Sequence, residues 1–326
     1  MKPQRRGIVF LCTALLAPGG ALGQKADRIW RVGCLMTRTR PEPLDSSPWG
    51  AVPATLAELG YVEGKNLVIE WRFGGGDYTR LPALADELTR MPVDVIVADG
   101  TPGTRAAQGA TKTIPIVFVG GGDVVADGLV KSLAHPGGNT TGCSLLLSDT
   151  AAKQLELLTA WVPKLSSVAV LFNPAMGSVL KGVVEASRLR RIRLLSFEAK
   201  TPAEIETALA RAAAEKAEAL VWLVDSFLFQ QSRQIAELAA KYGLPSMSGY
   251  PEYADHGGLM GYGPNRRDLY RKAAGLVSKI LKGANPADLP VEQPTRIDLF
   301  INVRTAKTLG LTIPPELLLQ ANKVIE

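Results

Sequence analysis

The residues best suited to chemistry in this sequence are small, polar and set at the ends of apolar runs. Residues 93–110 are the clearest case: VDVIVA ends in Asp99-Gly100-Thr101-Pro102-Gly103-Thr104, and a small-residue helical stretch follows at once. A strand feeding a helix in this way offers free N–H groups to an anion. The loop is not a nucleotide P-loop, because it lacks Gly-Lys-Ser/Thr and the next lysine is Lys112. What remains suits a carboxylate held on the N–H groups after Gly100. Thr101 either adds its hydroxyl to that site or only caps the helix.

Five other strand ends have the same character: Thr37-Arg38, Gly120-Gly121-Gly122-Asp123, Asn173-Pro174, Asp225-Ser226 and Ser248-Gly249-Tyr250. In open α/β sheets ligands bind beyond the carboxyl ends of the strands. The candidate ligand-binding residues are therefore Thr37, Gly100, Thr101, Gly121, Gly122, Asp123, Asn173, Asp225, Ser226 and Tyr250. Gly121 and Gly122 lack dinucleotide-fingerprint spacing and fit close approach of backbone to ligand. Asp123 and Asp225 each suit either a ligand ammonium or a turn. Tyr250 and Tyr253 either stack on a ligand or pack near a hinge. No nucleophile constellation stands beside these groups. The sequence has two histidines, His135 and His256. Asp255 and His256 are adjacent, and adjacent residues rarely face each other as a dyad requires. A Gly-x-Ser-x-Gly elbow is missing as well. The expectation is binding without catalysis, metal or cofactor.

The elements that must position these groups alternate between strand and helix patterns. Residues 31–36, 66–71, 93–98 and 114–119 read as strands, with helical stretches at 51–59, 78–90 and from 104 between them. Residues 167–172, 193–197, 219–224 and 244–247 repeat the pattern, with a capping box and N1 proline at Thr201-Pro202-Ala203-Glu204. Such alternation implies α/β architecture with parallel sheets. The repeat implies two similar Rossmann-like lobes. The expected division is 27–145 for the first lobe, completed by about 256–292, and 146–255 for the second, completed by about 293–326. Crossovers between lobes are then expected near 140–147, 250–257 and 293–298.

The N-terminus reads as a signal peptide over 1–23. Lys2, Arg5 and Arg6 precede a short apolar run, and Ala21-Leu22-Gly23 places small residues at the −3 and −1 positions of a cleavage site. Cleavage after Gly23 is expected, and with it export to the periplasm. Losing these three basic residues and no acidic ones lowers the formal charge from +6 to +3, too mild for a nucleic-acid partner. The basic run Arg188-Leu189-Arg190-Arg191-Ile192-Arg193 suits a solvated helix end. Cys34 and Cys143 sit in apolar strand-like contexts, which favours buried thiols over a disulfide.

Seven separated stretches occur in an order that resembles a known family: ELGYVEGKNLVIEWRF, RLPALADEL, VDVIVADGTPGTRAA, TIPIVFV, GLVKSLAHPGGNTTG, GGLMGYGPNRRDLYRKAA and KILKGANPADLPVEQPTRIDLFINVRTAKTLGLTIPPELL. They resemble the ABC-transporter substrate-binding proteins of the TrpX-like class, from about residue 27 to 326. The resemblance implies the type I periplasmic-binding fold with three crossovers, a cleft closing on a small molecule, and ABC permease membrane subunits as partner. It also implies an amino-acid solute. The chain departs from the family pattern at Val124, at Ser248 and at Pro251-Glu252-Tyr253. An amino-acid-like zwitterion is therefore expected rather than an aromatic amino acid in particular. A monomeric protein is expected. A ligand sensor serving a membrane receptor is the alternative that the same residues permit.

Overall fold

The computed structural model describes residues 28–145, 147–176 and 179–326. The expected signal peptide and its cleavage site lie outside the described residues. The first lobe opens with β1 (Trp30–Met36), α1 (Ala51–Glu58), β2 (Leu67–Phe73), α2 (Leu81–Arg90), β3 (Val95–Asp99), α3 (Gly100–Ala110), β4 (Ile116–Val119) and β5 (Thr140–Cys143). Its five strands are parallel, in the order β2-β1-β3-β4-β5. Every residue of β3 is buried, as a parallel strand covered by helices on both faces requires. Leu81, Ala85 and Leu88 form the inward face of α2.

The second lobe contains α4 (Leu147–Trp161), β6 (Ser167–Phe172), α5 (Val179–Arg190), β7 (Arg193–Glu198), α6 (Pro202–Ala214), β8 (Ala219–Trp222), α7 (Ser226–Gln230), α8 (Ser232–Lys241), β9 (Ser246–Ser248) and β10 (Met260–Pro264). After β10 come α9 (Arg266–Leu281), β11 (Ile297–Asn302), α10 (Val303–Thr308), α11 (Pro315–Gln320) and β12 (Lys323–Ile325). The second sheet runs β7-β6-β8-β9-β10-β11-β12. Its first five positions repeat the winding of the first sheet. Only β10 and β11 pair antiparallel. At α6, Thr201 accepts from Glu204 N at 3.3 Å, and Glu204 reaches back to Lys200 N at 2.6 Å.

One boundary differs from the expectation. β10 stays in the second sheet, paired with β9 and β11, and α9 is the segment that returns to pack on α1 and on the first sheet. The second crossover therefore falls at Pro264–Asn265, after β10, and not within 250–257. Two glycines explain why β10 stays. A Cβ on Gly261 would lie 2.2 Å from the Tyr250 carbonyl oxygen, and one on Gly263 would lie 2.0 Å from that of Gly249. Only glycine lets the segment after β9 cross β10 this closely.

Cys34 and Cys143 are buried free thiols. They lie on β1 and β5, with β3 and β4 between them. Three strand spacings separate them by about 14 Å, beyond the roughly 7 Å that a disulfide spans. Burial pushes both thiols above their ordinary range.

Candidate functional site

The carboxyl ends of β1, β3 and β4 face those of β6, β8 and β9 across the cleft. Among the described residues four hydrogen bonds join the two lobes across the cleft. Tyr78 OH donates to Asp225 Oδ2 at 2.6 Å, and Phe227 N donates to Tyr78 OH at 3.2 Å. Thr37 Oγ1 shares a bond with Ser226 Oγ at 2.7 Å, and Gln230 Nε2 donates to Thr39 Oγ1 at 2.8 Å. Tyr78 begins a 3-10 turn, Tyr78–Arg80, that is capped by the Asp77 carboxylate on Thr79 N at 2.9 Å. That turn sets the phenol across the cleft from Asp225.

Asp99 occupies the capping position of α3 but makes no side-chain bond to the helix. Its carboxylate instead accepts from the Thr37 hydroxyl and, at 2.5 Å, from Tyr270 OH. Trp49 Nε1 completes the chain with a 2.7 Å bond to Tyr270 OH. The first-turn N–H groups of α3 thus have no side-chain cap. Gly100 and Gly121 line the cavity beside them at φ +68° and +115°, conformations that side chains rarely adopt.

Together the jaws enclose a cavity lined by Tyr78, Gly100, Gly121, Asp225, Tyr250 and Arg266, among others. Its volume is about 30 Å³. Asp225 is 1% exposed and caps α7 through Leu228 N at 2.8 Å. Burial raises its pKa above the ordinary carboxylate value, against the pull of hydrogen bonds from Tyr78 and Asn173.

Two guanidiniums stand beside these acids. Arg38 and Arg266 are each 8% exposed. The Arg38 guanidinium lies 4.8 Å from the Trp49 ring centre and 4.4 Å from that of Phe229. That of Arg266 lies 5.3 Å from Phe229 and 5.1 Å from Tyr250. Arg266 opens α9, whose start is anchored by Asn265. That side chain accepts from Asp268 N at 3.0 Å and donates to Asp298 on β11 at 2.7 Å. Arg266 is thereby fixed at the crossover itself.

Of the residues singled out in the sequence, Gly100, Gly121, Asp225, Ser226 and Tyr250 line the cavity, and Thr37 bonds to its wall. Thr101 is buried one step behind it, where its hydroxyl accepts from Gly122 N at 3.3 Å. Asn173 lies at the cleft rim and accepts from Ala175 N at 3.0 Å. Asp123 is exposed and caps a turn, accepting from Val125 N at 3.2 Å and Ala126 N at 3.0 Å. It lies outside the cavity lining. Tyr253 packs edge-on against Trp222 at 5.1 Å, behind the cavity. Sequence reasoning missed Tyr78, Asp99, Arg266 and Tyr270 as cavity residues. Asp99 had a legible signal, as the last residue of β3. Among the described residues no group of His, Cys, Asp and Glu is arranged to hold a metal ion.

Residues 47–325 match the family model for ABC transporter substrate binding proteins. The chain belongs to this family. Substrate-binding proteins bind small molecules outside the cytoplasm and work with ABC permeases, and they are not enzymes. Among curated relatives, a tyrosine-binding protein of Clostridioides difficile (strain R20291) is 28% identical over 271 residues, covering 82% of this chain and 77% of that protein. A conserved domain protein of Vibrio cholerae O1 biovar El Tor is similar at TM-score 0.85 and 27% identity, over 91% of this chain and 100% of the other. A Streptococcus pneumoniae ABC domain solved with L-Trp shares the fold at TM-score 0.83 and 24% identity, over the same shares of each chain. The architecture is that of the type I periplasmic-binding proteins. No helix among the described residues is long and apolar enough to cross a membrane.

Proposed function

We propose that this substrate-binding protein captures a small amino-acid-like solute between its lobes and delivers it to a membrane permease for import. The observation that carries this reading is the cavity where the jaws meet. One wall offers the uncapped first turn of α3 and the Arg266 guanidinium; the other offers the buried carboxylate of Asp225. The solute's carboxylate sits on the N–H groups after Gly100, and its ammonium faces Asp225. The tyrosine-binding relative supports an amino acid as the solute class. The signal-peptide pattern at 1–23 supports export to the periplasm and maturation after Gly23. The mature protein works as a monomer.

Closure follows from binding because the solute touches both jaws only when they meet, so it favours the closed form by its differential affinity. Calorimetric titration of the mature protein with the amino acids and small carboxylates is expected to show saturable binding. Small-angle scattering is expected to show compaction at saturation. A panel that gives neither heat nor compaction sinks the reading.

A further inference from the structure

Arg266 lines two spaces. One is the interlobe cavity; the other is a larger chamber of about 470 Å³, open to solvent on one side, walled by Arg38, Trp49, Phe229, Glu252, His256 and Arg266, among others. The interlobe cavity alone has room for a few atoms. A larger solute has one way on past Arg266 and another past Tyr78; the paired guanidiniums single out the first.

The chamber holds two guanidiniums that no carboxylate among the described residues touches. Neither Arg38 nor Arg266 makes an ion pair among the described residues. Arg38 Nε is buried with no hydrogen-bond partner. The nearby acids do not fill the need. Asp99 is engaged by Thr37 and Tyr270, and Asp255 is engaged by Lys323 at 2.7 Å. Glu252 makes no ion pair within 4.0 Å among the described residues, and its own Oε2 is buried without a partner. Aromatic faces are what touch the two cations, and both share the Phe229 ring. Asp99 acts on both, and Glu252 on Arg266, only at longer range. Together with Tyr250 and Tyr270 they outweigh burial at Arg266 and raise its pKa, which they do not do at Arg38. Burial, and after it the charge of Arg266, push the Arg38 pKa down. A buried guanidinium is retained at such a cost when an anion completes it.

We propose that the solute carries a second carboxylate, which passes Arg266 into this chamber and is shared by Arg266 and Arg38. The inference rests on the interlobe capture proposed above and narrows its solute to acidic amino acids; glutarate, which lacks the ammonium, serves as the probe for the second carboxylate alone. Glu252, on the same wall, takes a donor of the solute or of its hydration.

The test titrates the mature protein and its Arg38→Met and Arg38→Gln variants with L-glutamate, L-2-aminoadipate, glutarate, L-glutamine and L-alanine. In the wild type at least one diacid is expected to bind about tenfold or more tighter than L-glutamine. Both variants are expected to lose that margin while keeping their weaker binding of neutral amino acids. The ligand-free variants are expected to melt no lower than the wild type, because a buried unpaired charge has been removed. If no diacid binds tighter than L-glutamine, the second carboxylate is overturned and interlobe capture is left standing. Binding of neutral amino acids with no diacid bound does the same. Arg38 variants that melt well below wild type would make Arg38 a structural group and overturn the proposal on that ground. If none of the five probes binds, the second carboxylate is overturned, and the full amino-acid panel decides whether interlobe capture falls with it.

Discussion

Thr37, Tyr78 and Asp225 are buried or half-buried polar groups with partners on the opposite lobe. Each is fully satisfied only when the lobes meet. Tyr78 is the sharpest of the three. Its hydroxyl donates to Asp225 at 2.6 Å and accepts from Phe227 N at 3.2 Å, so it serves two groups of the second lobe at once. Tyr78→Phe keeps the ring and removes both bonds. A hydrogen bond to a charged group contributes about 1.5–3 kcal/mol, so the variant is expected to bind solute roughly ten- to a hundredfold more weakly. Its thermal stability should change far less, since within the first lobe the ring still packs. Calorimetry and melting curves on the same preparation check both halves. The strand-end rule made Asp225, Ser226, Thr37 and Gly100 legible in the sequence, because it depends only on where apolar runs stop. Tyr78 and Arg266 were not legible that way. They arrive from a 3-10 turn and from a helix whose start is pinned by Asn265, and nothing local marks either as facing a cleft.

The alternation of elements was legible throughout because a buried parallel strand leaves an unbroken apolar run, as in β3. The routing of β10 was not. Gly-Leu-Met-Gly-Tyr-Gly reads as a strand in either lobe, and what decides between them is the close crossing of the Gly249–Pro251 backbone over Gly261 and Gly263. Gly263→Ala tests that account. The new Cβ would lie 2.0 Å from the Gly249 carbonyl oxygen and 2.9 Å from its carbon, and backbone cannot swing aside as a side-chain tip does. The variant is expected to lose at least about 2 kcal/mol of stability, read as a lowered denaturant midpoint. Gly275→Ala on α9, where a Cβ meets nothing within 4 Å, is the matched control and is expected to be neutral or slightly stabilising. The 3-10 segment Pro251–His256 carries a separate, pH-dependent contribution. His256 Nδ1 lies 2.6 Å from Ser232 Oγ. Burial lowers its pKa from 6.5, with Glu252 and Asp255 opposing and Arg233 and Arg38 reinforcing the shift. The unfolded chain therefore binds the proton more readily than the folded one. Stability from this residue is present above 6.5 and is lost as pH falls below it. The wild-type melting temperature is expected to fall more than that of His256→Gln between about pH 7 and about pH 5. Parallel curves for the two proteins would remove His256 from the account.

At the scale of the whole molecule the cleft is a two-state device. Among the described residues the bonds that cross it run in two groups: a part-buried pair of sites, at Thr37–Ser226 and at Tyr78 with Asp225 and Phe227, and an exposed one at Gln230–Thr39 on the rim. They differ in what they can control. A part-buried bond that opens leaves polar groups to be rehydrated, whereas a rim bond exchanges with water at almost no net cost. Closure should therefore be governed by the part-buried pair, with the rim setting how fast the closed form lets go. Gln230→Ala is expected to weaken solute binding by no more than about threefold, mostly through faster dissociation. Combined with Tyr78→Phe, it should give a larger radius of gyration in the absence of solute than the wild type. Saturating solute should still close the double variant, at a concentration raised by the factor through which the closed population has fallen. Scattering measured along a solute titration reads both quantities. A double variant that stays as compact as the wild type without solute would mean that the crossovers, and not the bonds across the cleft, hold the lobes together.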